Sequence, residues 1–119
     1  MVITAIVLDQ HGNPMREVEV PVDPISIMVL AETREEVMRS KGAEWAAGMI
    51  SYLGKQLADI AATDSSQAEV ENAAIQVAIA SWLYDSIYGN LEAELFAKSN
   101  LHFIVSREGA VKYDRYLSD

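Results

Sequence analysis

The chain has no cysteine, which excludes disulfides, thiolate nucleophiles and cysteine metal ligation. It has only two histidines, His11 and His102. Neither stands near carboxylates at a spacing such as H-E-x-x-H, so no metal site is expected. No serine occupies a G-x-S-x-G elbow. Gly42, Gly48 and Gly54 fall inside a helical pattern and not in a turn between strand and helix, so they match neither a P-loop nor a dinucleotide fingerprint. These absences leave nucleophilic, metal and nucleotide chemistry without residues to carry it. The expectation is a protein that is not an enzyme and binds no cofactor.

Positive charge is missing from a long stretch as well. The net charge is −9, and from Gln56 to Ala97 there is no Lys or Arg. Residues 1–41 carry seven acids and four bases, residues 42–97 eight acids against Lys55 alone, and residues 98–119 three acids and four bases. Such a field repels nucleic acid and anionic lipid and favours a basic partner, although acidic surfaces also serve solubility. The opening MVITAIVL is apolar but has no basic region before it and meets Asp9 at once, so it reads as neither signal peptide nor membrane span. A cytoplasmic location is expected. At 119 residues, half of them hydrophobic, residues 1–119 form one domain with a core of its own.

What is present centres on residues 66–88. At 100° per residue, Val70, Val77, Tyr84 and Tyr88 share one face, Ile75, Ile79 and Trp82 a second, and Leu83 and Ile87 a third. One narrow polar strip, Glu71 and Asp85 with Ala78 between them, continues to Glu92 if the helical phase persists past Gly89. A helix that is apolar nearly all round belongs inside a fold or inside an assembly. Ser66 and Glu69 form a capping box at its start, and Gly89 is placed to end it.

The rest of the chain arranges itself around that helix. Residues 2–8 are β-branched and apolar on both faces except at Thr4, which suits a strand central in a sheet or covered on both sides. Gln10-His11-Gly12-Asn13-Pro14 is a turn. In the return strand Val18, Val20 and Val22 oppose Glu17, Glu19 and Pro21, and Pro21, with no amide to donate, restricts that strand to an edge or to its own end. Residues 24–31 carry both a helix start, Asp23-Pro24, and a strand-like alternation; helix is the expectation, with a bend near Glu32 because Thr33 and Glu36 make a second capping box. From Thr33 to Ala62 a long amphipathic helix is predicted, with Met38, Trp45, Met49, Tyr52, Leu53, Leu57 and Ile60 as its apolar stripe and Gly42 as the place where it could break. A short helix over 91–98 and a hairpin, 101–105 and 110–116 about Ser106-Arg107-Glu108-Gly109, complete the chain. The predicted fold is α+β: an N-terminal hairpin, a long amphipathic helix, a buried central helix, a short helix and a C-terminal hairpin, with one antiparallel sheet packed on helices.

Several groups are candidate sites. Glu32/Glu35/Glu36, Glu69/Glu71 and Glu92/Glu94 could supply an acid–base pair, but acids near predicted helix starts are explained by the helix dipole. Tyr113 and Tyr116 with Arg107, Lys112 and Arg115 form the one stretch where bases interleave with aromatics; a charged edge strand is the plainer reading, and no nucleic-acid partner is expected. The surplus apolar surface of the central helix carries the leading expectation: a structural or protein-interaction module that self-associates as a homo-oligomer, a dimer first, with Trp82, Tyr84, Ile87 and Tyr88 near the interface. Two alternatives stand beside it. One is an acidic decoy or inhibitor that presents Glu71, Asp85 and Glu92 to a basic, nucleic-acid-binding protein. The other is a small-ligand sensor or enzyme with a pocket between helices and sheet.

Overall fold

The computed structural model describes residues 2–88 and 100–114, apart from the side chains of Pro24, Tyr113 and Asp114. The elements in order are β1 (Val2–Leu8), β2 (Pro14–Pro21), α1 (Pro24–Lys41), α2 (Ala43–Ala62), α3 (Gln67–Tyr88), β3 (Leu101–Val105) and β4 (Val111–Asp114). The fold is α+β. The expected short helix over 91–98 lies outside the described residues, as do Gly89, Glu92, Arg115 and Tyr116.

The two predicted hairpins are present, each antiparallel within itself, but the sheet they form is mixed. Its order is β2-β1-β3-β4, and β1 runs parallel to β3 from Ile3 opposite Leu101 to Val7 opposite Val105. Parallel neighbours need a long connection, and the three helices between the hairpins supply it. β1 is central, as its composition predicts, yet only one of its faces is fully covered. Ile3, Ala5 and Val7 are buried, and Val2, Thr4, Ile6 and Leu8 are half-buried. Val18 and Val20 extend the buried face on edge strand β2, which ends at Pro21, and Leu101, Phe103 and Val105 extend it on β3.

Because β1 and β3 are parallel neighbours, both hairpin turns lie at the same end of the sheet, and they are built alike. The Asp9 amide donates to the Asn13 carbonyl (2.9 Å) and the Gly12 amide to the Asp9 carbonyl (3.0 Å); the Ser106 amide donates to Ala110 (2.9 Å) and the Gly109 amide to Ser106 (3.0 Å). A side-chain oxygen caps each loop, Asp9 Oδ1 accepting from the Asn13 amide and Ser106 Oγ from the Ala110 amide, both at 3.0 Å. Gly12 and Gly109 hold positive φ, 79° and 95°, where a β-carbon is strained.

The helices stack in two layers. α2 and α3 lie on the sheet, while α1 packs on α3 and α2. This explains the all-round apolar character of α3, which has sheet on one side, α1 on another and α2 alongside. Val70, Ala74, Val77, Ala78, Ile79, Ala80, Trp82 and Leu83 are all buried. The serine half of the capping box is made, the Glu69 amide donating to Ser66 Oγ (3.3 Å), while the Glu69 carboxylate meets the Ser66 hydroxyl, which donates to it (3.4 Å).

α1 corrects one expectation and settles another. Residues 24–31 are helical, with Asp23 as N-cap accepting from the Ile25 amide at 3.2 Å, and the helix runs on without a break at Glu32. No glycine or proline lies between Ile25 and Lys41, so the Thr33–Glu36 capping box has no chain break to work on. The break comes at Gly42 instead, with φ at 97°. There the Gly42 amide donates to the Met38 carbonyl at 3.0 Å, closing α1. A β-carbon at Gly42 would meet nothing within 4 Å, so its role is the positive φ and not the close approach of a neighbouring backbone.

That break separates Met38 from the rest of the predicted stripe, and within α2 the stripe itself divides. Leu57 is buried with Met38, while Met49, Leu53 and Ile60 are half-buried. Trp45 and Tyr52 turn outward. The inward face of α2 is instead Ala46, Gly54, Leu57, Ala58 and Ala61, small residues that bring the helix close to its neighbours. Gly54 makes the closest approach. A β-carbon there would collide with the Gly109 carbonyl oxygen and reach within 2.9 Å of Val111 Cγ2, so the second hairpin's turn sits directly on the α2 backbone. Arg107 Nη1 reaches Asp59 Oδ1 at 2.6 Å, and Lys55 Nζ reaches the same carboxylate oxygen at 3.0 Å, fastening the turn from the side.

Two exposed carboxyls stabilise these turns in their charged form. The Asn13 and His11 amides hold Asp9 below the ordinary aspartate value, and hydrogen bonds from Arg107 and Lys55 do the same for Asp59. A folded-state value below the unfolded one gives a contribution that is complete above the ordinary carboxylate range and is lost as pH falls through the depressed folded values. The expected result is that wild-type urea midpoints decline below about pH 4, and that Asp9→Asn with Asp59→Asn flattens this decline. Parallel acid limbs for the two proteins would contradict it.

Candidate functional site

The first turns of α1 carry the most exposed apolar side chains in the described chain. Ile25 is 72% exposed and Val29 59%, with Met28 and Leu30 also exposed. The cause is local. Residues 25–31 contain no charge, and a helix with apolar side chains all round its circumference can bury only the side that meets a neighbour. Ile27 and Ala31 take that side and are buried, and the others remain in water. In residues 32–41 the charges balance, Glu32, Glu35 and Glu36 against Arg34, Arg39 and Lys41. Glu35 pairs with Arg39 at 3.3 Å. The three glutamates therefore lie in the middle of a helix whose first turn has no acid, and the helix dipole does not explain them.

Further along α1 the apolar surface continues into a groove among the three helices, of about 340 Å³. Val37, Met38, Trp45, Met49, Leu53 and Ala80 supply its apolar lining, and Thr33, Arg34 and Gln76 its polar groups. A smaller hollow of about 180 Å³ shares Leu53 and Gln76 with it and extends along α2 and α3 to Glu69. A separate cavity of about 310 Å³ lies where α2 and α3 meet β4, with Ile50, Ser81, Tyr84, Asp85 and Val111 in its walls. Among the described residues no three His, Asp or Glu side chains converge as metal ligands. No described helix is long and apolar enough to cross a membrane.

The four central-helix residues expected near an interface separate in the structure. Trp82 is 5% exposed and, with Leu83, borders a hollow of about 170 Å³ whose other wall is Met28, Ala31, Glu32 and Glu35 of α1. Tyr84 and Ile87 are half-buried and packed against the core. Tyr88 is exposed over part of its ring, its centroid 5.3 Å from that of Tyr84, and its hydroxyl donates to the Met38 carbonyl at 2.9 Å. The C-terminal half of α3 thus holds α1 in place, and more of the exposed apolar side chains belong to α1 than to α3, with Trp45 and Tyr52 of α2 also open to solvent. Sequence periodicity located the surplus on α3 because it could not show that α3 is covered from two sides. The uncharged run Ile25–Ala31 was the available signal.

The acidic strip is also divided. Glu71 and Asp85 are half-buried, and Ala78 between them is 1% exposed, so the two carboxylates do not share a continuous surface. His11 is exposed in its turn. His102 is half-buried on the sheet face away from the helices, between Leu101 and Phe103, which point inward. Arg107 is bound to Asp59, and Lys112 is exposed.

Comparison with known protein families, with curated proteins and with solved structures finds no match for this chain.

Proposed function

We propose that this protein is a non-enzymatic interaction module of the cytoplasm that self-associates through α1. The observation that carries this reading is the exposed, uncharged start of α1: Ile25, Met28, Val29 and Leu30 stand in water on a helix seated through Ile27, Ala31 and Met38. Burial of apolar area at roughly 25 cal/mol per Å² favours covering such a patch.

The occupant that fits best is a second copy of the chain. Two molecules of net charge −9 repel one another over most of their surfaces. α1 is different, because its three acids and three bases cancel. Two α1 helices related by a two-fold axis can therefore meet without like-charge repulsion, each presenting the same apolar patch. Such an interface is hydrophobic, so it persists at high salt, unlike a contact with a basic partner.

The test is absolute molar mass by light scattering on a sizing column, at low and high salt. The wild-type chain is expected to run as a dimer under both conditions, and Ile25→Glu with Val29→Glu as a monomer of unchanged circular dichroism. The substituted positions are exposed, so folding is preserved. A wild-type monomer at micromolar concentration, or a variant that stays dimeric, overturns the reading.

A further inference from the structure

The groove between α1, α2 and α3 holds one cation, Arg34, with no partner among the described residues. Arg34 is half-buried at its wall, and among the described residues no hydrogen bond or ion pair reaches it, whereas Arg39, Lys55 and Arg107 each have a carboxylate. A guanidinium removed in part from water is stabilised by an anion placed against it, above all a carboxylate, whose two oxygens match its fork of donors. None of the described residues lining the groove is acidic. The rest of the wall is apolar and includes an exposed aromatic, Trp45, with Val37, Met49 and Leu53.

We propose that this groove binds a small apolar carboxylate, with Arg34 holding the head group and Val37, Trp45, Met49 and Leu53 covering the hydrocarbon body. At about 340 Å³ it lies at the small end of the range of ligand pockets, which suits a single medium-length chain or ring. The charge of the protein narrows the class further. A field of net −9 disfavours polyanions. A single carboxylate in contact with Arg34 gains a short-range interaction, while the distant acids are screened over roughly 8 Å at physiological salt. The affinity then comes mainly from the apolar body, and the selectivity for an acid from Arg34. The site lies further along α1 than Ile25 and Val29 and includes neither of them.

The probe is decanoate, with decanol as its uncharged counterpart, titrated into the full-length chain and followed by calorimetry and by tryptophan emission, with Trp45→Phe assigning the signal. Decanoate is expected to bind saturably at one site per chain, about tenfold more tightly than decanol. Arg34→Gln is expected to remove that advantage and leave decanol unaffected, and Ile25→Ser with Val29→Ser to leave decanoate binding unchanged. Equal affinity of the wild-type protein for the acid and the alcohol overturns the proposal whether or not the Arg34 variant folds. So does the absence of saturable binding, or loss of binding in the Ile25/Val29 variant, which would assign the uptake to the exposed patch.

Discussion

Gly54→Ala is expected to destabilise the protein by about 3 kcal/mol and to lower its melting temperature by about 12 °C. In an exposed helix interior the same change stabilises, by about 1 kcal/mol, because alanine restricts the unfolded chain and favours the helix. Two helical glycines of α2 therefore respond with opposite signs. At Gly48 a β-carbon meets nothing within 4 Å, so Gly48→Ala should raise the melting temperature by about 4 °C. At Gly54 the new methyl meets the backbone carbonyl of Gly109, and backbone cannot rotate aside as a flexible side chain can. Relief requires the whole turn from Ser106 to Ala110 to lift off α2. That movement would also pull Arg107 away from Asp59 and Val111 away from the core. Thermal melts of the two variants beside the wild type decide the matter. If both glycines gave the same sign, the close seating of the hairpin on α2 would be wrong. Gly109 joins two constraints that Gly12 separates. Both have positive φ, but only Gly109 is crowded, its β-carbon position lying 2.6 Å from the Lys55 amide nitrogen.

Local signals in the sequence were legible wherever the physics that produced them is local. The capping box at Ser66 and Glu69, the Asp23-Pro24 start, both glycine turns and the alternation of Val18 and Val20 all depend on residues within a few positions of one another, and all appear where expected. The properties that were not legible depend on distant partners. The parallel pairing of Ile3 with Leu101 joins residues from opposite ends of the chain. The value of Gly54 depends on Gly109, and neither position shows it alone. The stripe from Met38 to Ile60 assumes constant phase through Gly42, where the chain in fact turns at φ 97°, and within α2 the small residues Ala46, Gly54, Ala58 and Ala61 take the inward face and leave Trp45 and Tyr52 outside. The candidate site suffered from the same limit. The groove at Arg34 and Trp45 exists because of that turn, so it could not be read from a helix taken as continuous.

Trp82→Ala separates the two helices as carriers of the apolar interface. Trp82 is buried within one chain, so its removal should cost about 3–5 kcal/mol through lost burial and the cavity left behind. That loss belongs to the fold of each chain. Urea unfolding at two protein concentrations should show it as the same decrement at both, while any dependence of the wild-type midpoint on concentration, which reports coupled dissociation, persists in the variant. Ile25→Glu with Val29→Glu should behave in the opposite way, abolishing the concentration dependence and lowering the midpoint most where the wild type is most fully associated. The contrast follows from position: Trp82 is buried in the core of one chain, across a small hollow from Met28 and Ala31 of α1, and Ile25 and Val29 stand on the part of the same helix open to water. A Trp82→Ala protein that dissociated without losing stability would return the interface to α3.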